Sequence, residues 1–217
     1  MEKKMIIELE QITKKIKRDL ILDHISLRME SPKIIGFRGI NGSGKTMLMR
    51  TILGFILPTD GYVRIDGKIL GKDIEFPPSA GMLIENPSFL DAYSGRKNLE
   101  LLKAMEETQN CNPPKEINVT KLLERVGLDP TDKRKYKKYS LGMKQRLGIA
   151  AALMGEPDLL VLDEPTNALD DQGVTMLKQI VREEKARGAL ILLSCHDKQI
   201  LESLADEIYH IEAGKII

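Results

Sequence analysis

Hydrophobic positions fall into three regimes along this chain. Over the first third, apolar residues occur in short extended runs bounded by polar turns. They predict strands at 5–12, 20–29, 33–37 and 62–65, the last after the turn Pro58-Thr59-Asp60-Gly61. One helix interrupts them, from 45 to about 53, with Gly54 placed to end it in the left-handed cap conformation. From 86 to 155 the pattern becomes helical, with helices predicted at 96–107, 118–126 and 141–154 and turns that contain Pro113-Pro114 and Asp129-Pro130. Beyond Pro157, short apolar strands return at 159–162, 189–193 and 207–211, with a helix at 172–187 between the first two. That alternation predicts an α/β fold whose mostly parallel sheet is wrapped by helices.

The 217 residues, 42% apolar and 30% charged, suffice for one sizeable core and one domain. With 33 Lys and Arg against 32 Asp and Glu, no net field would hold the chain on nucleic acid or an anionic membrane, so no nucleic-acid partner is expected. One basic run, Lys133-Arg134-Lys135 with Lys137-Lys138, precedes the helix start at Ser140 and reads as a solvated loop. Cys111 and Cys195 are far apart and lack metal-ligand spacing. With no secretory signal in view, the reducing cytoplasm is the expected compartment. No apolar stretch approaches the roughly 20 residues of a spanning helix, so a path across a membrane is expected from another chain.

Gly39-Ile40-Asn41-Gly42-Ser43-Gly44-Lys45-Thr46 has the spacing G-x-x-x-x-G-K-[ST] and lies between the strand at 33–37 and the helix from 45. Glycines at 39, 42 and 44 let the backbone turn tightly with its N–H groups pointing at phosphate oxygens. The positive end of the following helix adds attraction. Lys45 is expected to neutralise the β- and γ-phosphates of a nucleotide, and the Thr46 hydroxyl to ligate the Mg²⁺ that a triphosphate brings.

The apolar run Leu159-Leu160-Val161-Leu162 stops at Asp163-Glu164-Pro165. Adjacent carboxylates at the end of a core strand are costly unless they meet a cation or hydrogen-bond donors. Strand alternation sends the two side chains to different sides. Asp163 is therefore expected to engage Mg²⁺, and Glu164 to polarise an attacking water as general base. Read alone, the pair would also serve as a helix cap; beside the phosphate loop, the hydrolytic role is the stronger one. His196 follows the run Leu190-Ile191-Leu192-Leu193-Ser194-Cys195 at another strand's carboxyl end, where it can hydrogen-bond a γ-phosphate or stand as a structural histidine.

In this order, over nearly the whole chain, these motifs resemble the ATP-binding cassette (ABC) ATPase family. Tyr139-Ser140-Leu141-Gly142-Met143-Lys144-Gln145-Arg146 is similar to that family's signature, L-S-G-G-Q followed by a basic residue, Gln and Arg. Ser140 and Gly142 match; Tyr139, Leu141 and Met143 depart. Ser140 is also a good N-cap, and with the free N–H groups behind it makes an anion site. The resemblance implies that Ser140 and Gly142 clasp the γ-phosphate held by an opposite subunit, so two cassettes, identical or paired, close head to tail around two ATP molecules. Asn167-Ala168-Leu169-Asp170 resembles the family's D-loop, whose aspartate couples the two sites; Asp170 equally suits a helix cap.

Two positions depart further. Ile16 stands where most members stack an aromatic on adenine, and apolar packing would hold the base less selectively. Glu85 stands where most carry glutamine; its carboxylate can still ligate Mg²⁺ but adds negative charge near the γ-phosphate. Glu85 together with the Ser-Leu-Gly-Met-Lys-Gln signature resembles the branch linked to bacitracin-type and lantibiotic-type peptide self-protection. The implied architecture is a P-loop NTPase core at 1–85 and 156–217, with an N-terminal antiparallel β subdomain and an inserted helical subdomain at 86–155. The implied function is ATP hydrolysis powering export of a peptide or drug-like compound through a separate membrane permease, the cassette being held on the inner face of the membrane. The alternatives are a non-transport ABC ATPase, another P-loop enzyme such as a small-molecule kinase, and a regulatory ATP-binding module that does not hydrolyse.

Overall fold

The computed structural model of the chain describes residues 4–85, 87–109 and 116–217. Cys111 and the Pro113-Pro114 turn lie outside them. The first strand, β1 (Ile6–Ile16), starts with clean alternation, Ile7 and Leu9 buried between more exposed neighbours. Glu10 and Gln11 then both face solvent, Gln11 takes a φ of 50°, and burial resumes with Ile12 and Thr13 adjacent. The pairing with β2 (Asp19–Glu30) shifts register between Leu9 and Ile12, as it does at a β-bulge. This change of phase hides the rest of the strand from the sequence pattern: β1 runs on to Ile16, past its expected end at 12.

After β3 (Lys33–Arg38) and α1 (Lys45–Ile52), β4 (Asp60–Ile65) and β5 (Lys68–Ile69) return to that sheet. It is antiparallel, in the order β2-β1-β4-β5. The remaining elements are β6 (Ala80–Leu83), α2 (Gly95–Gln109), α3 (Val119–Arg125), α4 (Leu141–Ala152), β7 (Leu159–Leu162), α5 (Asp171–Ala186), β8 (Leu190–Ser194), α6 (Lys198–Leu204), β9 (Glu207–Glu212) and β10 (Lys215–Ile216). The second sheet runs β10-β9-β3-β8-β7-β6, parallel from β9 to β6, with β10 antiparallel at its edge. The expected α/β fold with a mostly parallel sheet and an antiparallel N-terminal sheet is the one observed. β6 and α6 were not foreseen: β6 has only four residues, one of them Gly81, and α6 has only seven.

Every residue of β7 and β8 is buried, because the parallel sheet is covered on both faces. Alternation divides them cleanly. Leu159, Val161, Leu190 and Leu192 join α1 and the antiparallel sheet in one cluster, while Leu160, Leu162, Ile191 and Leu193 join α4, α5 and α6 in the other. Each such side chain contributes about 1.5–3 kcal/mol by leaving water. Odd-numbered residues of β7 and even-numbered residues of β8 therefore face α1, a parity that decides where the acids after β7 point.

Helices α2, α3 and α4 pack on one another, and α4 lies against β6. An ionic knot joins α3 to α5: Arg125 pairs with Glu183 at 2.8 Å and with Glu184 at 2.7 Å, and Arg187 meets Glu184 at 2.8 Å. Glu184 is 3% exposed, so its charge needs both guanidinium groups. Breaking a buried pair usually costs 3–5 kcal/mol, but Arg187 would still neutralise Glu184; Arg125→Met is accordingly expected to cost about 2 kcal/mol in urea unfolding.

Candidate active site

The chain turns from β3 directly into α1 through residues 39–46. Gly44 caps the helix at a φ of 112°, a conformation glycine adopts without strain, and it has no side chain to cap the first-turn N–H groups. A Cβ on Gly39 would collide with the carbonyl oxygen of Ile211 and the Ser43 hydroxyl. The turn after β9 holds the loop from behind, Gly214 donating its N–H to the Ser43 carbonyl at 3.0 Å. Ile21 of β2 abuts it as well, its carbonyl oxygen 3.0 Å from where a Gly44 Cβ would stand. Lys45 is only 6% exposed and donates to the loop's own carbonyls, Gly39 at 2.8 Å and Ile40 at 3.1 Å. The Ser43 hydroxyl is buried without a hydrogen-bond partner among the described residues.

Asp163 continues the odd parity of β7 and reaches α1, where the Thr46 hydroxyl donates to its Oδ2 at 2.5 Å. The Ser194 hydroxyl, at the end of β8 and on the same face by its even parity, donates to Oδ1 at 2.5 Å. Glu164 turns the other way. Its backbone has a φ of 49°, a left-handed conformation that costs a non-glycine residue about 1–3 kcal/mol, and its N–H donates to Ser194 Oγ at 2.9 Å. Glu164 Oε2 accepts the backbone N–H of His196 at 3.0 Å. His196 Nε2 stands 3.2 Å from Oε1, within ion-pair distance but without hydrogen-bond alignment, so Oε1 has no hydrogen-bond partner among the described residues. Burial pushes the Glu164 carboxyl above the usual carboxylate range, against the opposing pull of His196 and Lys45. A carboxylate with raised proton affinity is suited to take a proton.

The other expected residues are distributed as follows. Ser140 is the N-cap of α4 and accepts the Met143 N–H at 3.2 Å. A Cβ on Gly142 would stand 2.9 Å from the Ala168 carbonyl, so the signature helix starts hard against the segment that follows Glu164. Two further side chains tie them: buried Gln145 donates to the Pro165 carbonyl at 3.0 Å, and Arg146 pairs with Asp170 at 3.0 Å. Asp170 also caps α5 through the Gly173 N–H at 2.8 Å. Glu85 is exposed, at a φ of 60°, and its carboxylate pairs with Arg50 at 2.6 Å. Ile16 ends β1 as an exposed side chain. Gln145 and Arg146 were read only as the end of the signature, without a role, and Ser194 and Gly214 were given none; the signal for Ser194 was a polar residue closing an apolar strand.

The model of the family described as ABC transporter matches residues 22–167, a span that holds the phosphate loop, the signature helix and both acids. The chain belongs to the ABC transporter family. This cassette is 43% identical to the uncharacterized ABC transporter ATP-binding protein YybJ of Bacillus subtilis strain 168, over 97% of the chain and 94% of that protein. It is 37% identical to the bacitracin transport ATP-binding protein BcrA of Enterococcus faecalis, over 98% of the chain and 68% of that protein. It is 34% identical to the lantibiotic transport ATP-binding protein SrtF of Streptococcus pyogenes, over 98% and 89%. Among solved structures, cbiO1 of Clostridium perfringens, part of the ABC transporter complex cbiONQ, matches with a TM-score of 0.80 at 25% identity, over 99% of the cassette and 88% of that chain. The dimeric, post-hydrolysis ATP-binding cassette MJ0796 bound to ADP and Pi shares the fold, with a TM-score of 0.84 at 20% identity over 97% and 96%. The cassette is the ATP-binding subunit type of such transporters.

The residues suit a magnesium nucleotide. The glycine cradle, the uncapped first turn of α1 and the unpartnered Ser43 hydroxyl all fit phosphate oxygens. The Thr46 hydroxyl and Asp163 carboxylate are the hard oxygen donors that Mg²⁺ selects.

Proposed function

We propose that the cassette hydrolyses ATP, as one of two that close around the nucleotide, and that turnover powers export of a peptide-like compound through a separate membrane permease. One observation carries the hydrolysis: Lys45, Thr46, Asp163, Glu164 and His196 meet at the carboxyl ends of β3, β7 and β8, where open α/β sheets place their ligands. The peptide-like cargo rests on the likeness to the bacitracin and lantibiotic transport proteins. In the proposed site, Lys45 leaves the loop carbonyls for the β- and γ-phosphates, joined by the N–H groups of residues 39–46. Thr46 and Asp163 would hold Mg²⁺, which would supply charge neutralisation to the phosphates. Glu164 accepts a proton from the attacking water, and His196 hydrogen-bonds the γ-phosphate. Glu85 would join the metal only by leaving Arg50, and an exposed pair of this kind is worth about 0–1 kcal/mol, so the exchange is cheap. Ile16 covers the adenine.

Ser140 and Gly142 are proposed to meet the γ-phosphate of the opposite cassette, with Asp170 at the interface. Gln145 and Arg146 bind the signature helix to the segment after Glu164, so hydrolysis on one side and release of the partner's phosphate are mechanically joined. The helices at 86–155 form the lobe that presents Ser140. Between this lobe and the core lies a groove of about 590 Å³ lined by Arg50, Phe55, Met82, Phe89 and Leu102, with exposed Leu90 and Tyr93 nearby. Exposed apolar residues gathered around a cleft support a protein partner there, and we assign it to the permease. Among the described residues no helix is long and apolar enough to cross a membrane. Phosphate release from Mg·ATP by the purified cassette, and its increase when the permease is reconstituted, tests the proposal. A chain that binds ATP and releases no phosphate in either setting would instead be a regulatory binder.

A further inference from the structure

Ser194 is completely buried, and a hydroxyl in that position is costly unless both its donor and its acceptor capacity are used. Both are, and both go to the two acids. The Glu164 N–H can only donate, so at 2.9 Å it claims a lone pair on Ser194 Oγ. The single hydroxyl proton is then committed to Asp163 Oδ1 at 2.5 Å. Asp163 Oδ2 is meanwhile bonded to Thr46. A chain of hydrogen bonds therefore runs from the Glu164 backbone, through Ser194 and across the Asp163 carboxylate, to Thr46 in the first turn of α1.

Two strand ends, those of β7 and β8, meet at this hydroxyl, and β3 flanks β8. Ser194 closes β8, which is paired in parallel with β7 through Leu162 and Leu193 and with β3 through Phe37 and Ser194. Asp163 and Glu164 leave β7 in opposite directions, and Glu164 does so through a strained backbone. A hydroxyl that grips one acid by its side chain and the next by its backbone fixes the angle between them. An apolar residue would fill the same space and leave Asp163 Oδ1 and the Glu164 N–H unsatisfied.

We propose that Ser194 is a positioning residue of the hydrolytic centre: it sets the Asp163 carboxylate toward Thr46 for the metal and holds the Glu164 backbone in the left-handed turn that aims its carboxylate. The proposal rests on the ATPase function proposed above, and its test separates the two. Ser194→Ala, Ser194→Thr and Ser194→Cys are compared with wild type for kcat and KM. In the Glu164→Gln background, the Mg²⁺ concentration giving half-maximal binding of a fluorescent ATP analogue is measured as well.

Ser194→Ala is expected to lower kcat about 10- to 100-fold, the range set by one lost hydrogen bond to a charged group, with KM within a factor of about two. It should raise the Mg²⁺ midpoint about fivefold or more, and Ser194→Thr should recover both values. Wild-type kcat and Mg²⁺ midpoint in Ser194→Ala would overturn the proposal, as would equal impairment in the threonine variant, which would make bulk and not the hydroxyl the cause. If melting shows that the alanine variant does not fold, Ser194→Cys carries the test: a weak donor of similar size is expected to fall between alanine and wild type, and wild-type values would overturn it. Wild-type turnover that is lost in Glu164→Gln but kept in Ser194→Ala sinks this proposal alone. Absence of wild-type turnover sinks the ATPase reading, while the Mg²⁺ midpoint still reads Ser194.

Discussion

Glu164→Gln will lower ATP turnover by about 10²- to 10⁴-fold, the contribution expected of a positioned general base. The amide keeps the shape of the side chain and can still accept the His196 N–H that now reaches Oε2 at 3.0 Å. It cannot take a proton, and it removes the charge that faces His196 and Lys45. Nucleotide affinity should therefore be kept or improved while kcat collapses, a split read directly by single-turnover phosphate release beside equilibrium binding. A glutamine variant that turns over within about threefold of wild type would remove Glu164 from the chemistry.

Lys45→Ala should act on the other parameter. The Lys45 ammonium is buried and already makes two hydrogen bonds, to Gly39 and Ile40. Binding a nucleotide exchanges neutral carbonyl acceptors for anionic oxygens, so only the difference between the two sets counts. The ammonium is charged in both sets, so its carbonyl bonds are already charge-assisted at about 1.5–3 kcal/mol each. The gain on meeting phosphate is the added ion–ion attraction, about 4 kcal/mol at an effective dielectric of about 20 and partly offset by the bonds given up, roughly 2–3 kcal/mol net. ATP affinity should fall about 10²-fold, measured by titration with a fluorescent analogue, and the melting temperature of the nucleotide-free variant should drop by several degrees as the two loop bonds are lost. A variant that keeps wild-type affinity would place the phosphates elsewhere.

The contiguous parts of the site were legible before any coordinates. The phosphate loop needs no tertiary information, because one turn and one helix start supply all of it. The acids at 163–164 were equally plain, since an apolar run that ends in two charges has few structural alternatives. What could not be read were the pairings between distant segments. Thr46 and Asp163 are joined only because β3 and β7 flank β8, and Ser194 acts only because parity places it on the face shared with Asp163. Glu85 shows the same limit from the other side: its ion pair with Arg50 depends on β6, a four-residue strand too short to announce itself. Local patterning also lost the far half of β1, because the bulge at Gln11 breaks the alternation by which a strand is recognised.

Asp170 illustrates a residue whose two readings coincide. It caps α5 and pairs with Arg146 of the signature helix, so the cap holds the segment that any coupling between sites would use. Its carboxyl is held below the usual range, first by the Gly173 N–H and then by Arg146. The tie to α4 therefore persists to more acidic pH than an ordinary aspartate would allow.

Sedimentation of the Glu164→Gln cassette with and without Mg·ATP reads the ATP-driven pairing of two cassettes directly. A monomer is expected without nucleotide and a stable dimer with Mg·ATP, because Ser140 and Gly142 of each cassette complete the other's site and the variant cannot reopen it by hydrolysis. A variant that binds Mg·ATP at Lys45 and stays monomeric, alone and with its permease, would contradict it.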